Sequence, residues 1–284
     1  MSIFGCDVSK WNGNVNFNEL KATGKVQFVV IKATDGMDLE PSLANQVAGC
    51  KAYNMPYAFY CFGEAKSIVE SIQEAKFLLS RIVGTKPLFI AYDAESSNLS
   101  ALSKNETTDV VNGFCSTIKS AGYTACFYCN DNWMRNELDA QFLKNKGYYF
   151  WYAKYNGTTP DTANNSSICD IWQYSETGKL NGNGSSAIDL DVAYNTNLIR
   201  EINLRLGVNV NPNYCDTTIP FIKNLGETYT FKSGSPISCG SKNIFNEIGS
   251  KVENGYYLTT YKAIGHGSAG FYVNGIRKTI GTVK

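Results

Sequence analysis

Two carboxylates stand two residues apart in the stretch LFIAYDAESSN, residues 88–98, where an apolar run meets Asp93, Ala94 and Glu95 before a polar loop. In an extended chain, residues i and i+2 face the same way, about 6.5 Å apart at ~3.3 Å rise per residue. Two such acids cannot both ionise freely, so one of them holds a proton near neutral pH. A protonated acid beside ionised ones is what glycosidic cleavage needs. The same pair would also arise as a helix N-cap or a solvated loop, so further acids are needed to decide. Asp7 follows the apolar run IFGCDVS, and Asp189 and Asp191 lie in AIDLDVAY. Acids at three strand ends point to one mouth, where a divalent metal is the weaker alternative. The chain has a single histidine, His266, which removes most zinc-hydrolase schemes. No metal and no cofactor is expected.

Positioning those acids calls for strands that end on one side of a sheet. Eight short runs rich in β-branched and aromatic residues recur: IFGCDVS, QFVVIKAT, PYAFYCF, LFIAYDAE, YTACFYCN, YFWYAKY, ICDIWQYS and AIDLDVAY. Between the early ones lie helical patterns around residues 16–23, 41–53, 67–82, 106–120 and 131–146. The third places Ile68, Ile72, Ala75, Leu79 and Ile82 on one stripe. Such alternation predicts a parallel β/α architecture, whose active sites sit at the C-terminal ends of the strands. After the sixth run the links become rich in Asn, Gly, Ser and Thr, too polar for helices. The pattern predicts an irregular TIM-like β/α barrel with few helices in its second half.

The composition changes from residue 207 to Gly, Ser, Asn and Tyr, with short strand-like runs such as ETYTFKSG and YYLTTYKA. We expect a barrel over residues 1–200 and a small all-β, SH3-like module over 207–284. The second segment carries eight basic and four acidic residues, a net charge of +4 that suits docking on an anionic polymer. The whole chain has 26 basic and 25 acidic residues, so nucleic-acid binding is not implied. No stretch approaches the ~20 apolar residues that span a bilayer. The start, MSIFGCDVSKWNGN, lacks the basic and apolar regions of a signal peptide, so synthesis in the cytoplasm is expected. Nine cysteines, scattered and mostly inside apolar runs, read as reduced, buried thiols rather than a disulfide framework. The one C-x-x-C pair, Cys126 and Cys129, would face opposite ways in a strand and is a poor zinc site.

Eight motifs in order carry a resemblance: GCDVSKWNG, VVIKATDG, FYCF, YDAES, FYCN, WYAKY, IWQYS and IDLDVAY. Over about residues 3–194 the chain resembles a glycoside hydrolase family 25 lysozyme of the Chalaropsis type. The resemblance implies an incomplete-helix β/α barrel that cuts the β-1,4 bond after N-acetylmuramic acid in peptidoglycan. It implies Glu95 as general acid, Asp93 as its partner, and Asp7 and Asp189 as the further acids of the mouth. It implies retention, with the substrate's 2-acetamido group as nucleophile and an Asp orienting it. Three departures stand out: Cys61 where the family usually has His, Asp35 where it has Glu, and Asp191 where it has Asn. The first two bear on substrate contacts, and the third leaves Asp189 and Asp191 as rivals for one role. Aromatics near strand ends fit a sugar groove: Tyr60, Tyr128, Trp151, Tyr155 and Trp172. Lys32 would sit among the acids, both as ion-pair partner and as substrate donor.

The implied whole is a phage endolysin, with bacterial peptidoglycan as partner, a wall polymer bound by the C-terminal module, and export through a holin. Two other classes compete. A non-catalytic wall-binding protein would not need the D-x-E pair. A Cys/His peptidase would have to pair His266 with Cys239, the closest cysteine in its module.

Overall fold

The computed structural model describes residues 3–185, 187–207, 211–253 and 255–284. Two compact units divide it, residues 3–198 and Ile199–Lys284. No helix among the described residues is long and apolar enough to cross a membrane.

The first unit is built on nine strands in chain order: β1 (Ile3–Val8), β2 (Phe28–Asp35), β3 (Asp38–Leu39), β4 (Tyr57–Phe62), β5 (Ile90–Asp93), β6 (Ala125–Asn130), β7 (Tyr149–Ala153), β8 (Ile171–Gly178) and β9 (Ile188–Ala193). Eight of them close a barrel in the order β1, β9, β8, β7, β6, β5, β4, β2, with β2 pairing back to β1 and β3 hanging on β2 as a short hairpin arm. The β-branched and aromatic content of these runs suits a pleated surface packed on both sides. One face packs outward: Val29, Ile31, Phe59, Cys61, Tyr92, Phe127, Cys129, Tyr152 and Trp172 share a core with the surrounding helices. The other face fills the barrel. There Gly5 admits the ring of Phe28, whose nearest atom would lie only 2.5 Å from a Cβ on residue 5.

β1, β2 and β4 to β8 are mutually parallel, but β9 runs antiparallel to both of its neighbours. This corrects the all-parallel expectation. The link from β8 to β9 is short and polar, too short for the crossover that a parallel return requires. The acids of the last strand consequently reach the mouth from its beginning, not its end.

The helices are α1 (Phe17–Ala22), α2 (Leu43–Ala52), α3 (Ile68–Arg81), α4 (Ser97–Ser100), α5 (Lys104–Ser120), α6 (Asp131–Asn136), α7 (Ala140–Asn145) and α8 (Thr196–Arg205). Among the described residues none lies between β7 and β9, as the polar links predict. The helix expected over 131–146 is two. Asn130 caps α6 through the amide of Trp133, and Asp139 starts a second helix by accepting from the amide of Phe142. The buried face of α3 is also displaced: it comprises Ser71, Glu74, Ala75 and Leu78, while Ile68 is exposed. Glu74 belongs to that face because Tyr92 Oη donates to it at 2.7 Å and the Glu64 amide at 3.1 Å.

The second unit holds two sheets. One has the order β10 (Phe221–Lys223), β16 (Ile276–Val283), β15 (Gly267–Val273), β12 (Ile237–Cys239); the other has β11 (Thr228–Ser233), β14 (Tyr256–Ala263), β13 (Phe245–Glu253). Phe231, Phe245, Tyr261, Phe271, Val273 and Val283 form its core. His266 is exposed in the turn before β15. The Cys239 thiol donates to the Ser241 carbonyl at 3.4 Å, and burial pushes its pKa up, away from the thiolate a peptidase needs.

Candidate active site

Asp7, one residue before the end of β1, lies directly opposite Asp189, the second residue of β9. The antiparallel β9 brings Asp189 there from the start of the strand. Burial, and then the charge of Asp189, raises the Asp7 carboxyl well above its usual range, and the two carboxyls share a hydrogen bond. Burial raises Asp189 as well. A proton shared between two close acids is the expected result.

Asp93 is the last residue of β5. The local cap is Ser96, whose side chain accepts from the Leu99 amide at the start of α4. Neither Asp93 nor Glu95 is therefore spent on capping. Burial, and next the charge of Glu95, raises Asp93, while the Lys32 ammonium partly offsets this. One oxygen of Asp93, Oδ1, is buried with no partner among the described residues. Glu95 Oε1 accepts from the Asn130 amide at 2.6 Å. Burial raises the Glu95 pKa, and that hydrogen bond lowers it by less. The amide fixes the carboxyl's orientation and leaves Oε2 for a proton.

Lys32 lies inside the barrel by strand alternation and ion-pairs with Asp35 at 2.7 Å, its Nζ 5.0 Å from the ring centre of Phe62. Asp35, the departure from the family's usual Glu, is thus the partner that holds this lysine. Register sets Asp93 beside Tyr128 and Tyr128 beside Trp151. The Tyr60 ring meets Trp151 edge-on at 6.0 Å. Tyr155 is exposed at 42 % and donates to Gln173 Oε1, as Tyr128 does at 2.7 Å. Gln173 Nε2 donates in turn to Asp7 Oδ2 at 2.6 Å. Gln173 therefore ties the buried Tyr128 and the exposed Tyr155 to the first acid. Reading for ionisable groups misses it, although it stands in the motif IWQYS.

The structure brings together Asp7, Asp189, Asp93, Glu95, Lys32, Tyr60, Tyr128, Trp151 and Tyr155. Asp191 lies deeper. It is fully buried, accepts from Trp151 Nε1 at 2.8 Å, and its Oδ2 has no partner among the described residues. Burial raises its pKa well above the usual value, which disfavours the charged form. Trp172 is not at the mouth. It is fully buried on the outer face of β8, opposite Gln173, and its indole donates to the Lys154 carbonyl at 3.3 Å. Cys61 also packs outward, its thiol 3.4 Å from the Phe62 carbonyl, so this substitution does not touch the mouth.

Two pairs of acids raised by burial, on opposite walls of one tyrosine-lined mouth, form an acid–base site suited to a polyhydroxyl substrate. The chain is 27 % identical to "Lysozyme M1" of Streptomyces globisporus over 222 residues, covering 68 % of this chain and 71 % of that one. It is 26 % identical to a "Lysozyme" of Lactococcus phage mv1 over 163 residues, covering 54 % of this chain and 80 % of that one. Its fold is similar to the crystal structure of the CTP1L endolysin, with a TM-score of 0.57, 24 % identity, and coverage of 78 % of this chain and 74 % of the other. The model of "Glycosyl hydrolases family 25" matches residues 6–183, well over half of the sequence, and the chain belongs to that family.

Proposed function

We propose that the protein is an N-acetylmuramidase that cleaves the β-1,4 bond between N-acetylmuramic acid and N-acetylglucosamine in bacterial peptidoglycan, and that it serves as a phage endolysin. The observation that carries the reading is the Asp93–Glu95 pair: burial raises both acids, the charge of Glu95 adds to the rise of Asp93, and the Asn130 amide holds Glu95. The lysozyme relatives, one of them from a phage, support the substrate.

In this mechanism Glu95 Oε2 carries the proton and delivers it to the oxygen of the leaving sugar. The carboxylate of Asp93, half-buried at the end of β5, accepts from the N–H of the substrate's 2-acetamido group. That contact orients the acetamido oxygen towards the anomeric carbon and favours the positive charge that develops on its nitrogen. Attack by the oxygen breaks the glycosidic bond. Water then opens the cyclic intermediate with Glu95, now ionised, as its base. The Asp7–Asp189 pair faces the sugar from the other wall, with Gln173 fixing Asp7. Asp189, not Asp191, is the acid of β9 that acts there, because Asp191 is closed off beneath. The C-terminal unit, with its excess of basic residues, is the wall-binding module, and the enzyme reaches the wall after release from the cytoplasm.

Glu95→Gln keeps the shape and the acceptor for Asn130 but not the proton. It should lower turbidity clearance of cell walls by about 10²- to 10⁴-fold, the usual worth of a positioned acid, with no loss of thermal stability. Near-normal clearance by that variant would sink the mechanism.

A further inference from the structure

We infer that Trp11 is a stacking platform for a sugar ring of the glycan strand, just outside the cleavage mouth. The inference rests on the muramidase reading and adds a contact that the acid pairs and their aromatic lining do not supply.

Large aromatic rings are ordinarily buried or half-buried, since their area dominates packing. The described residues include all four tryptophans. Trp133, Trp151 and Trp172 are exposed at 8 %, 2 % and 0 %, whereas Trp11 is exposed at 79 %. A floppy loop would explain that trivially, but this turn is held from several sides. Residues Lys10–Asn12 form a single 3-10 turn, in which Ser9 and Asn12 cap each other reciprocally. The Lys10 amide donates to Glu40 Oε1 at 2.9 Å, and Gln46 Nε2 on α2 donates to the Ser9 carbonyl at 2.9 Å. The loop between β8 and β9 presses on the other side: a Cβ on Gly184 would come within 2.2 Å of the Asn12 carbonyl oxygen. Asn12 Nδ2 reaches Ser185 Oγ at 3.4 Å in that same loop. Ser9 and Asn12 are buried, while Lys10 and Trp11 point out.

A rigid backbone that presents a bare indole loses little entropy when something binds to it. Trp11 lies four residues beyond Asp7, so its Cα is at most about 14 Å from that of the acid. Lys10 Nζ sits 5.2 Å from the indole centre and covers one face of the ring. With the residue 79 % exposed, the indole leaves most of its surface to a ligand. A pyranose ring has an apolar face of C–H groups that matches it, and a polymeric glycan extends past the cleaved bond on both sides. The occupant is therefore a sugar of the same strand that the mouth cuts.

Steady-state cleavage of purified peptidoglycan by Trp11→Ala tests this. KM should rise about three- to tenfold, the worth of one aromatic stack, with kcat and the unfolding temperature held and with Trp11→Tyr restoring most of the loss. Tryptophan fluorescence gives an independent reading, since Trp11 dominates acrylamide quenching. In Glu95→Gln protein, soluble muramic acid–glucosamine oligomers should shield that component, and the shielding should vanish in the Glu95→Gln, Trp11→Phe double variant. Wild-type cleavage with an unchanged KM in Trp11→Ala, or bound oligomers that leave quenching unaltered, would overturn the inference alone. Wild-type protein that releases no reducing ends from peptidoglycan would overturn the muramidase reading and this inference with it.

Discussion

Asp191 shows how one oxygen decides a residue's role. It occupies the position where the family usually has Asn, and its environment treats it as one: a single donor, Trp151, and an Oδ2 without a partner among the described residues. Its folded pKa lies well above the usual value because of burial, then because of Asp189. The folded state thus holds the proton more tightly than the unfolded chain, whose Asp titrates near ~3.9. Stability is fully present below that value and is lost as pH rises towards the folded pKa. Asp191→Asn should therefore leave cleavage intact and flatten this loss, so that the variant melts above the wild type at pH 8 and near it at pH 4. Thermal denaturation at the two pH values checks this, and a variant that melts below the wild type at pH 8 would contradict it. At this scale the acids were legible, because Asp and Glu ending apolar runs are conspicuous. Gln173 was not, since a neutral amide gives no titration signal. Trp151 and Trp172 were alike in sequence, and only the alternation of β7 and β8 sends one inward and the other out.

The element that most directly backs the candidate acid is α3. Glu74 bridges Tyr92, the residue before Asp93, to the amide of Glu64 in the loop after β4. Asn98 of α4 then donates to Glu64 Oε2 at 2.6 Å, so α3, β5 and α4 share one polar chain behind the mouth. Glu74→Ala leaves the Tyr92 hydroxyl and the Glu64 amide without their acceptor and should cost about 1–3 kcal/mol. Glu74→Gln should cost less. Burial, chiefly, pushes the Glu74 pKa up to about 7, with Glu64 and Glu70 adding to it. Its contribution is present at pH below the ordinary Glu value and declines as pH rises towards 7. Denaturant unfolding of the three proteins from pH 4 to 8 should show a shallower decline in Glu74→Gln than in the wild type. A charged residue on a buried face is also why the apolar stripe of α3 was legible in period but off by one residue in phase. The direction of β9 was hidden for a different reason: alternation encodes which face is buried, not which way a strand runs.

The molecule's two units each have a core of their own, one around the barrel and one between the C-terminal sheets. The composition changes at residue 207, eight residues after the second unit begins at Ile199, and the family match ends at residue 183 and says nothing of that unit's role. If that unit docks the enzyme, a chain ending at Arg205 should still cleave solubilised peptidoglycan but fail to sediment with intact walls. Co-sedimentation of an unaltered fraction would remove the docking role. The bond that is cut defines the activity. Mass spectrometry of peptidoglycan digested by the full chain reads it directly. Fragments with N-acetylmuramic acid at the new reducing ends are the expected product; new ends on N-acetylglucosamine, or freed stem peptides with intact glycan, would contradict the account.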